Sequence, residues 1–259
     1  MRRTRHPGSH RSRPPVPCRL RRRRPPGRRL RRTPTGGDPV KEPGWIAITQ
    51  RHVPYPHRSE EGDYLDRQWY ALEAVSNRRL LAVPNNLPLA QRTLRGLPLA
   101  AVILTGGNDL PSVPDPNDVA PERDRVETWL LEQAEELRTP VIGICRGAQS
   151  IAHRFGARLV DGQHGHSGTR HHVRSTGDAP WPWPEQFTVA SHHRWAIPAD
   201  GLPEQLRPLA LAEDDTVEAF AHRDLPWWGL MWHPEREFPA GPAADALTFI
   251  LNHSTNPSH

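Results

Sequence analysis

The sequence predicts an α/β domain: an open, mostly parallel sheet flanked by helices, preceded by a tail that adds nothing to the core. Three observations carry this. From Trp45 onward, short apolar runs rich in β-branched residues alternate with stretches of helical periodicity. Residues 1–40 are of another kind, holding fourteen arginines and the single acid Asp38, about +13 by formal count. Two of the apolar runs end in small or reactive residues, at Gly106-Gly107 and at Cys145, and open α/β sheets gather their sites at strand carboxyl ends.

The 259 residues suffice for a sizeable core. The chain totals +5, so the body beyond the tail is acidic, at about −8. Residues 1–44 are Arg/Pro/Gly-rich and are expected to be disordered, with the ordered domain over 45–253. The tail has no aromatic interleaving, so an accidental extension is favoured over a nucleic-acid or membrane-surface arm. Its Arg-Arg pairs lead into RRRRPPGRRLRR rather than an apolar segment, so no signal peptide is read there. No run of eighteen apolar residues exists, and no membrane span is expected. The cysteines, Cys18 and Cys145, form no disulfide framework, and a reducing cytoplasmic compartment is the default.

The elements follow in order. WIAITQ (45–50) reads as a buried strand. DRQWYALEAVSN (66–77) has helical spacing, with Trp69, Leu72, Ala74 and Val75 on one face. RRLLAVPNN (78–86) is a strand running into a loop at Pro84, and LAAVILTGG (99–107) a strand ending in the glycine pair. PERDRVETWLLEQAEELR (121–138) is an amphipathic helix whose acids and arginines are expected on its outer face. TPVIGIC (139–145) is a strand, and RGAQSIAHRFGA (146–157) the helix after it. VRSTG, EQFTVASHH, TVEAFAHR and PWWGLMWHPE supply strands and loops, and DALTFILNH (245–253) a closing helix. Trp181, Trp183, Trp227, Trp228 and Trp232 are read as packing residues, not a base-stacking platform.

In VIGICRGAQSIA (141–152), Cys145 stands between Gly143 and Gly147 where a strand gives way to a helix. Small neighbours permit a sharp turn that lifts the side chain above the sheet, and the helix N-terminus favours a thiolate. The spacing leans toward a nucleophile, with a buried core cysteine as the alternative. MWHPERE (231–237) offers His233 as the base and Glu235, two residues on, as the acid that orients it. In LTGGNDLPS (104–112), Gly106 and Gly107 let backbone N–H groups approach a ligand, although a plain turn fits equally.

These three motifs together resemble the class I glutamine amidotransferase-like superfamily, with its flavodoxin-like sheet, and within it the γ-glutamyl hydrolase branch. The likeness runs from about Trp45 to Phe249. It implies a cysteine-dependent hydrolase of γ-glutamyl amides that needs no metal or organic cofactor. Cys145, His233 and Glu235 would be the triad, and Gly107 and Arg146 the donors of oxyanion N–H groups. Gln149, Gly106 and Asn108 would hold the glutamyl part. ITQR, GGNDL, GTRHHV, SHHRWAI and VEAF narrow the likeness to a subgroup, the γ-glutamyl-CDP-amidate hydrolases of capsular phosphoramidate pathways. Ala148 and Ala190 depart from the family pattern, where a bulkier residue and an asparagine are usual.

The likeness also directs Arg170 and His171 toward a pyrophosphate or carboxylate, and Ser191 and His193 toward the substrate; His193 matches the family's substrate-side histidine better than His192, which reads equally as a packed neighbour. Arg51 is either a surface arginine or an anion contact at the site mouth. The loop GQHGHSGTRHHV (162–173) carries His164, His166, His171 and His172. It has no cysteine, carboxylate pair or regular ligand spacing, so a solvated loop is favoured over a metal site. The implied partner is a small γ-glutamyl compound, with a homodimer left open. The rivals are a γ-glutamyl-GABA-type hydrolase, a glutaminase component feeding ammonia to a synthetase, and a non-catalytic binding module that uses the basic tail.

Overall fold

The computed structural model describes residues 44–162, 166–237 and 241–253. The expected disorder of the tail and the placement of His164 lie outside the described residues.

The chain runs β1 (Trp45–Thr49), β2 (Arg51–Tyr55), β3 (Glu60–Tyr64), α1 (Ala71–Ser76), β4 (Arg79–Val83), α2 (Leu87–Leu94), β5 (Leu99–Leu104) and α3 (Pro121–Glu136). It continues β6 (Val141–Ile144), α4 (Arg146–Arg154), β7 (Val160–Asp161), β8 (Ser167–Ser175), β9 (Gln186–His192) and β10 (Trp195–Ala196). It closes with β11 (Leu206–Ala212), β12 (Val217–His222), β13 (Trp227–Leu230) and α5 (Pro242–His253).

Nine strands form the central sheet, in the order β4-β1-β5-β6-β13-β12-β11-β8-β9. The pairings from β4 through to β13 are parallel, and those from β13 through to β9 antiparallel. Each buried strand splits its apolar residues between two cores, because successive side chains point to opposite faces. Ala47, Val102, Leu104 and Val141 pack with residues of α2, α3 and α4 on one face. Ile46, Ile48, Ile103, Ile142 and Ile144 pack with α1 and α5 on the other. Trp181, Trp227 and Trp232 are buried, as the packing reading requires, and Trp183 and Trp228 lie partly buried against the second core.

Several expectations change in detail. The helix over 66–77 opens as a 3-10 turn at Arg67–Tyr70, where Asp66 accepts the Gln68 N–H at 3.0 Å. Ala74 is exposed, and Ser76 takes the buried position instead, its hydroxyl donating to Leu72 O at 2.6 Å. The histidine-rich stretch is no loop from Ser167 on; it is the long strand β8, with Thr169, His171 and Val173 facing inward and Gly168, Arg170 and His172 outward. Strand β11 was not foreseen because Pro208 interrupts LRPLALA. The pairing tolerates it through a register shift at that point.

Helix α3 departs furthest from its expected pattern. Arg123 and Glu127 are fully buried, facing the strand ends rather than solvent. The Arg123 guanidinium donates to Thr105 O (2.6 Å), Gly106 O (3.1 Å) and Gly107 O (2.5 Å), to Asn108 Oδ1 (3.1 Å), and to Glu127 Oε1 (2.8 Å). Glu127 also accepts from Thr49 Oγ1 at 2.9 Å and pairs with Arg146, which in turn pairs with Asp124. Burial draws the Arg123 guanidinium down to about 10, yet leaves it charged at neutral pH. Burial favours protonation of Glu127, but Arg123 and Arg146 outweigh it and hold the carboxyl below its usual range. One charged knot thus fixes the ends of β1 and β5, the glycine loop and the start of α4.

Glu127→Gln leaves two buried guanidinia without their shared carboxylate. Removing one partner of a buried pair costs about 3–5 kcal/mol, and denaturant unfolding of this variant is expected to show a loss of that order. A loss under about 1 kcal/mol would contradict the role given to the knot.

Candidate active site

Strand β6 ends at Ile144, and Cys145 follows with φ 51° and ψ −106°, a left-handed conformation rare for a residue with a side chain. Its N–H donates to Leu230 O at 2.7 Å, and its carbonyl accepts from Gln149 N at 3.1 Å. The turn is therefore pinned on one side by the neighbouring strand and on the other by the first turn of α4. Both flanking glycines are sterically required. A Cβ on Gly147 would run into the Leu104 backbone, and one on Gly143 into the Gly147 carbonyl. The Gly-x-Cys-x-Gly spacing is thus what lets α4 sit down on β5 and β6 while the thiol is raised.

His233 follows the buried Trp232 beyond β13. The segment is not extended past this point. Pro234–Arg236 forms a 3-10 turn that curls Glu235 back, so that Glu235 Oε1 lies 2.7 Å from His233 Nδ1. The other edge of the ring faces Gly106 and Cys145. A Cβ on Gly106 would stand 2.6 Å from His233 Cε1, and 3.4 Å from both His233 Nε2 and Cys145 Cβ. Burial lowers the His233 pKa, but hydrogen bonds with Cys145 and Glu235 outweigh it and push it up to about 10. Both neighbours thus favour the protonated ring, which lies between the Cys145 sulfur and the Glu235 carboxylate. The sequence-expected triad of Cys145, His233 and Glu235 is brought together.

Gly107 has φ +81° and turns the loop across the mouth of the site. Among the described residues, the N–H groups of Gly107 and Arg146 donate to no protein acceptor. Both glycine-loop carbonyls, by contrast, are held by Arg123. The Arg146 side chain is drawn into the charged knot, away from the thiol. Gln149 is buried, with its Nε2 donating to Trp195 O at 2.8 Å.

Other candidates are placed differently from expectation. Asn108 has no amide capacity left for a ligand: Oδ1 accepts from His52 N and Arg123, and Nδ2 donates to His52 O and Asp118. Ser191 is buried, with its hydroxyl spent on His166 O. Arg170 and His171 cannot meet one ligand together, because neighbours on β8 point to opposite faces. Arg170 is exposed and pairs with Glu237 at 3.1 Å, while His171 faces inward toward Glu218. His193 is likewise buried against Glu218 at 3.2 Å. It is His192 that approaches the site, its ring centroid 5.8 Å from that of His233.

The cleft beside His233 is lined by Arg51, Asp66, Trp69, Thr105 and Arg236. Arg51 resolves as a mouth residue: its side chain lies over Gly107, and Nη2 reaches Asp118 at 3.1 Å. A larger hollow under α2 and α3, lined by Leu94, Leu97, Trp129 and Leu137, holds none of the triad. Sequence reasoning missed Arg123 and Glu127 as supports of the glycine loop. The signal was present in their spacing of four, which places both on one helix face with apolar Val126 and Leu130 beside it.

The family model described as Peptidase C26 matches residues 93–235. The chain is 37% identical over 197 residues to the γ-glutamyl-CDP-amidate hydrolase of Campylobacter jejuni subsp. jejuni serotype O:2, covering 74% of this chain and 90% of that protein. It is 27% identical to a glutamine-hydrolysing GMP synthase subunit of Thermococcus kodakarensis, over 67% of this chain and 85% of that one. In fold it is similar to the crystal structure described as a GMP synthase subunit from Thermoplasma acidophilum. The TM-score is 0.57 at 22% identity, over 80% of this chain and 94% of that one. A glutamine amidotransferase from Thermotoga maritima gives 0.54 at 17% identity, over 74% and 76%. With its glycine loop, raised cysteine and His-Pro-Glu turn inside the matched region, the chain belongs to the Peptidase C26 family.

Proposed function

We propose that this chain hydrolyses a γ-glutamyl amide through a glutamyl thioester on Cys145, with CDP-amidyl glutamine as substrate and cytidine diphosphoramidate as the leaving group. The observation that carries the reading is the triad itself: a strained, raised cysteine facing a histidine whose far nitrogen is held by a buried carboxylate. The leaving group rests on the likeness to the Campylobacter jejuni enzyme, which spans nine-tenths of that protein, and on a mouth that carries Arg51 and Arg236, suited to a diphosphate.

The Cys145 thiolate attacks the γ-carbonyl carbon. The carbonyl oxygen gathers negative charge against the N–H groups of Gly107 and Arg146, which no acceptor among the described residues uses. His233 gives its proton to the departing nitrogen, the C–N bond breaks, and the glutamyl group is left as a thioester. Neutral His233 then takes a proton from water, whose oxygen attacks the thioester and releases glutamate, restoring the thiolate–imidazolium pair. Glu235 fixes the ring by its Nδ1 and stabilises the imidazolium in both halves of the cycle. Gln149, anchored on Trp195 O, stands one helical turn beyond the nucleophile as the contact for the α-substituents of glutamate.

A second reading, a glutaminase component that serves a synthetase, draws on the likeness to the Thermococcus kodakarensis GMP synthase chain. Glutamate release by the purified chain alone separates the two. Turnover of CDP-amidyl glutamine well above glutamine and γ-glutamyl-GABA is the expected result, and glutamine hydrolysis that appears only with a partner would favour the rival.

Cys145→Ala is expected to lose hydrolysis by roughly 10⁴-fold or more while circular dichroism and unfolding stay close to wild type. The proton held by His233 also sets a pH dependence. The protonated form is the acid for the leaving nitrogen and is lost as pH rises through about 10, so kcat/KM is expected to fall on that alkaline limb. Glu235 favours the charged ring, so Glu235→Gln lowers the pKa and moves the limb to lower pH. A limb that stays in place in this variant would remove Glu235 from the mechanism.

A further inference from the structure

A second polar cluster lies outside the reaction. Glu218, on β12, is fully buried, and three imidazoles surround its Oε1: His166 Nδ1 at 3.2 Å, His193 Nε2 at 3.2 Å and His171 Nε2 at 3.5 Å. Only His193 makes a hydrogen bond to it. His166 Nδ1 and His171 Nε2 stand at that distance without the geometry of one, and Glu218 Oε2 has no partner at all among the described residues. The far nitrogen of His166, Nε2, meets Asp214 Oδ2 at 2.9 Å, and Asp214 Oδ1 accepts from the Thr216 hydroxyl at 2.7 Å and the Thr216 N–H at 3.1 Å.

Asp214 takes up the Nε2 side of His166, which leaves Nδ1 as the ring atom that faces the Glu218 carboxylate. Glu218 Oε1 and the imidazole nitrogens around it thus form a buried donor set that makes few hydrogen bonds of its own. We propose that this donor set holds a first-row divalent metal ion of the zinc class, bound by His166 Nδ1, His193 Nε2 and Glu218 Oε1, with a fourth position left for water. The donor atoms of these three residues lie within 4.8 Å of one another. Metal bonds of about 2.0–2.1 Å set tetrahedral ligands roughly 3.3 Å apart, and both histidine nitrogens lie 3.2 Å from Oε1. Imidazole and carboxylate donors suit this ion class. The Asp214–His166 pair supplies the outer carboxylate that orients a metal-bound histidine. The ion would staple β8, the end of β9 and β12 together, beside the Gln149–Trp195 contact.

The test uses the whole untagged chain carrying Cys18→Ser and Cys145→Ser, so that neither thiol adds a site of its own. After chelation, Co²⁺ is titrated with visible absorption as the readout, followed by displacement with Zn²⁺. One equivalent with the intense bands of a tetrahedral ion is expected, with affinity lost in Glu218→Gln and His193→Gln. Should those variants fail to fold by circular dichroism, Asp214→Asn decides, since loss of an outer carboxylate lowers affinity by about 10–100-fold. Absence of binding in the parent overturns the proposal, as does equal binding in the parent and in the folded variants. So does an unchanged affinity in Asp214→Asn.

Discussion

The catalytic end of the sheet depends on one buried carboxylate. Glu127 holds two guanidinium groups, and each governs a different half of the site. Through Arg123 it fixes the carbonyls of Thr105, Gly106 and Gly107, so the peptide planes of the loop are set and their N–H edges turn the other way. Through Arg146 it pulls a long side chain off the start of α4 and leaves the N–H beside Cys145 open. Arginine suits both places because its planar fork serves several acceptors at once and stays charged when buried. A lysine at either position would supply one point charge where the geometry has up to six acceptors.

Much of the fold was legible in the sequence. The runs at 45–50, 99–107 and 139–145 are short, apolar and β-branched because both faces of those strands are covered, and no amphipathic signal competes. The triad was legible too, since Gly-x-Cys-x-Gly and His-Pro-Glu are local patterns whose steric reasons lie within a few residues. What was hidden is non-local. Arg123 and Glu127 looked like the solvent face of α3, because a buried charge and an exposed one are the same letter in a sequence. β8 looked like a polar loop for a similar reason: its inward histidine, His171, is matched by Glu218, 47 positions away along the chain. The acids that complete the histidine cluster, Asp214 and Glu218, likewise come from the turn and strand after β11, so local ligand spacing could not reveal them.

The choice between His192 and His193 shows the same limit on a smaller scale. Both lie at the end of β9, and strand alternation sends them to opposite sides. Which side is which depends on the register with β8, where a shift occurs between Ser167 and Thr169. His193 turns in to Glu218, and His192 turns out toward His233 and Arg236. Partial burial of the ring, together with the Arg236 charge, keeps the His192 pKa low. A neutral ring at the mouth can accept or donate a hydrogen bond to a ligand without adding charge.

The change from parallel to antiparallel pairing at β13 links the two polar clusters. β13 lies parallel to β6, so the residues that leave its carboxyl end, among them His233, emerge on the same edge as Cys145. β12 runs the other way beside it, so residues near its start meet that same edge, and Met231 N–H donates to Glu218 O at 2.8 Å. The backbone that positions Glu218 is therefore bonded to a residue that lies two positions before His233. A purely parallel sheet would need a long crossover to bring a further strand there. A hairpin does it with a tight turn, and it places the buried carboxylate of one cluster within one backbone hydrogen bond of the segment that carries His233.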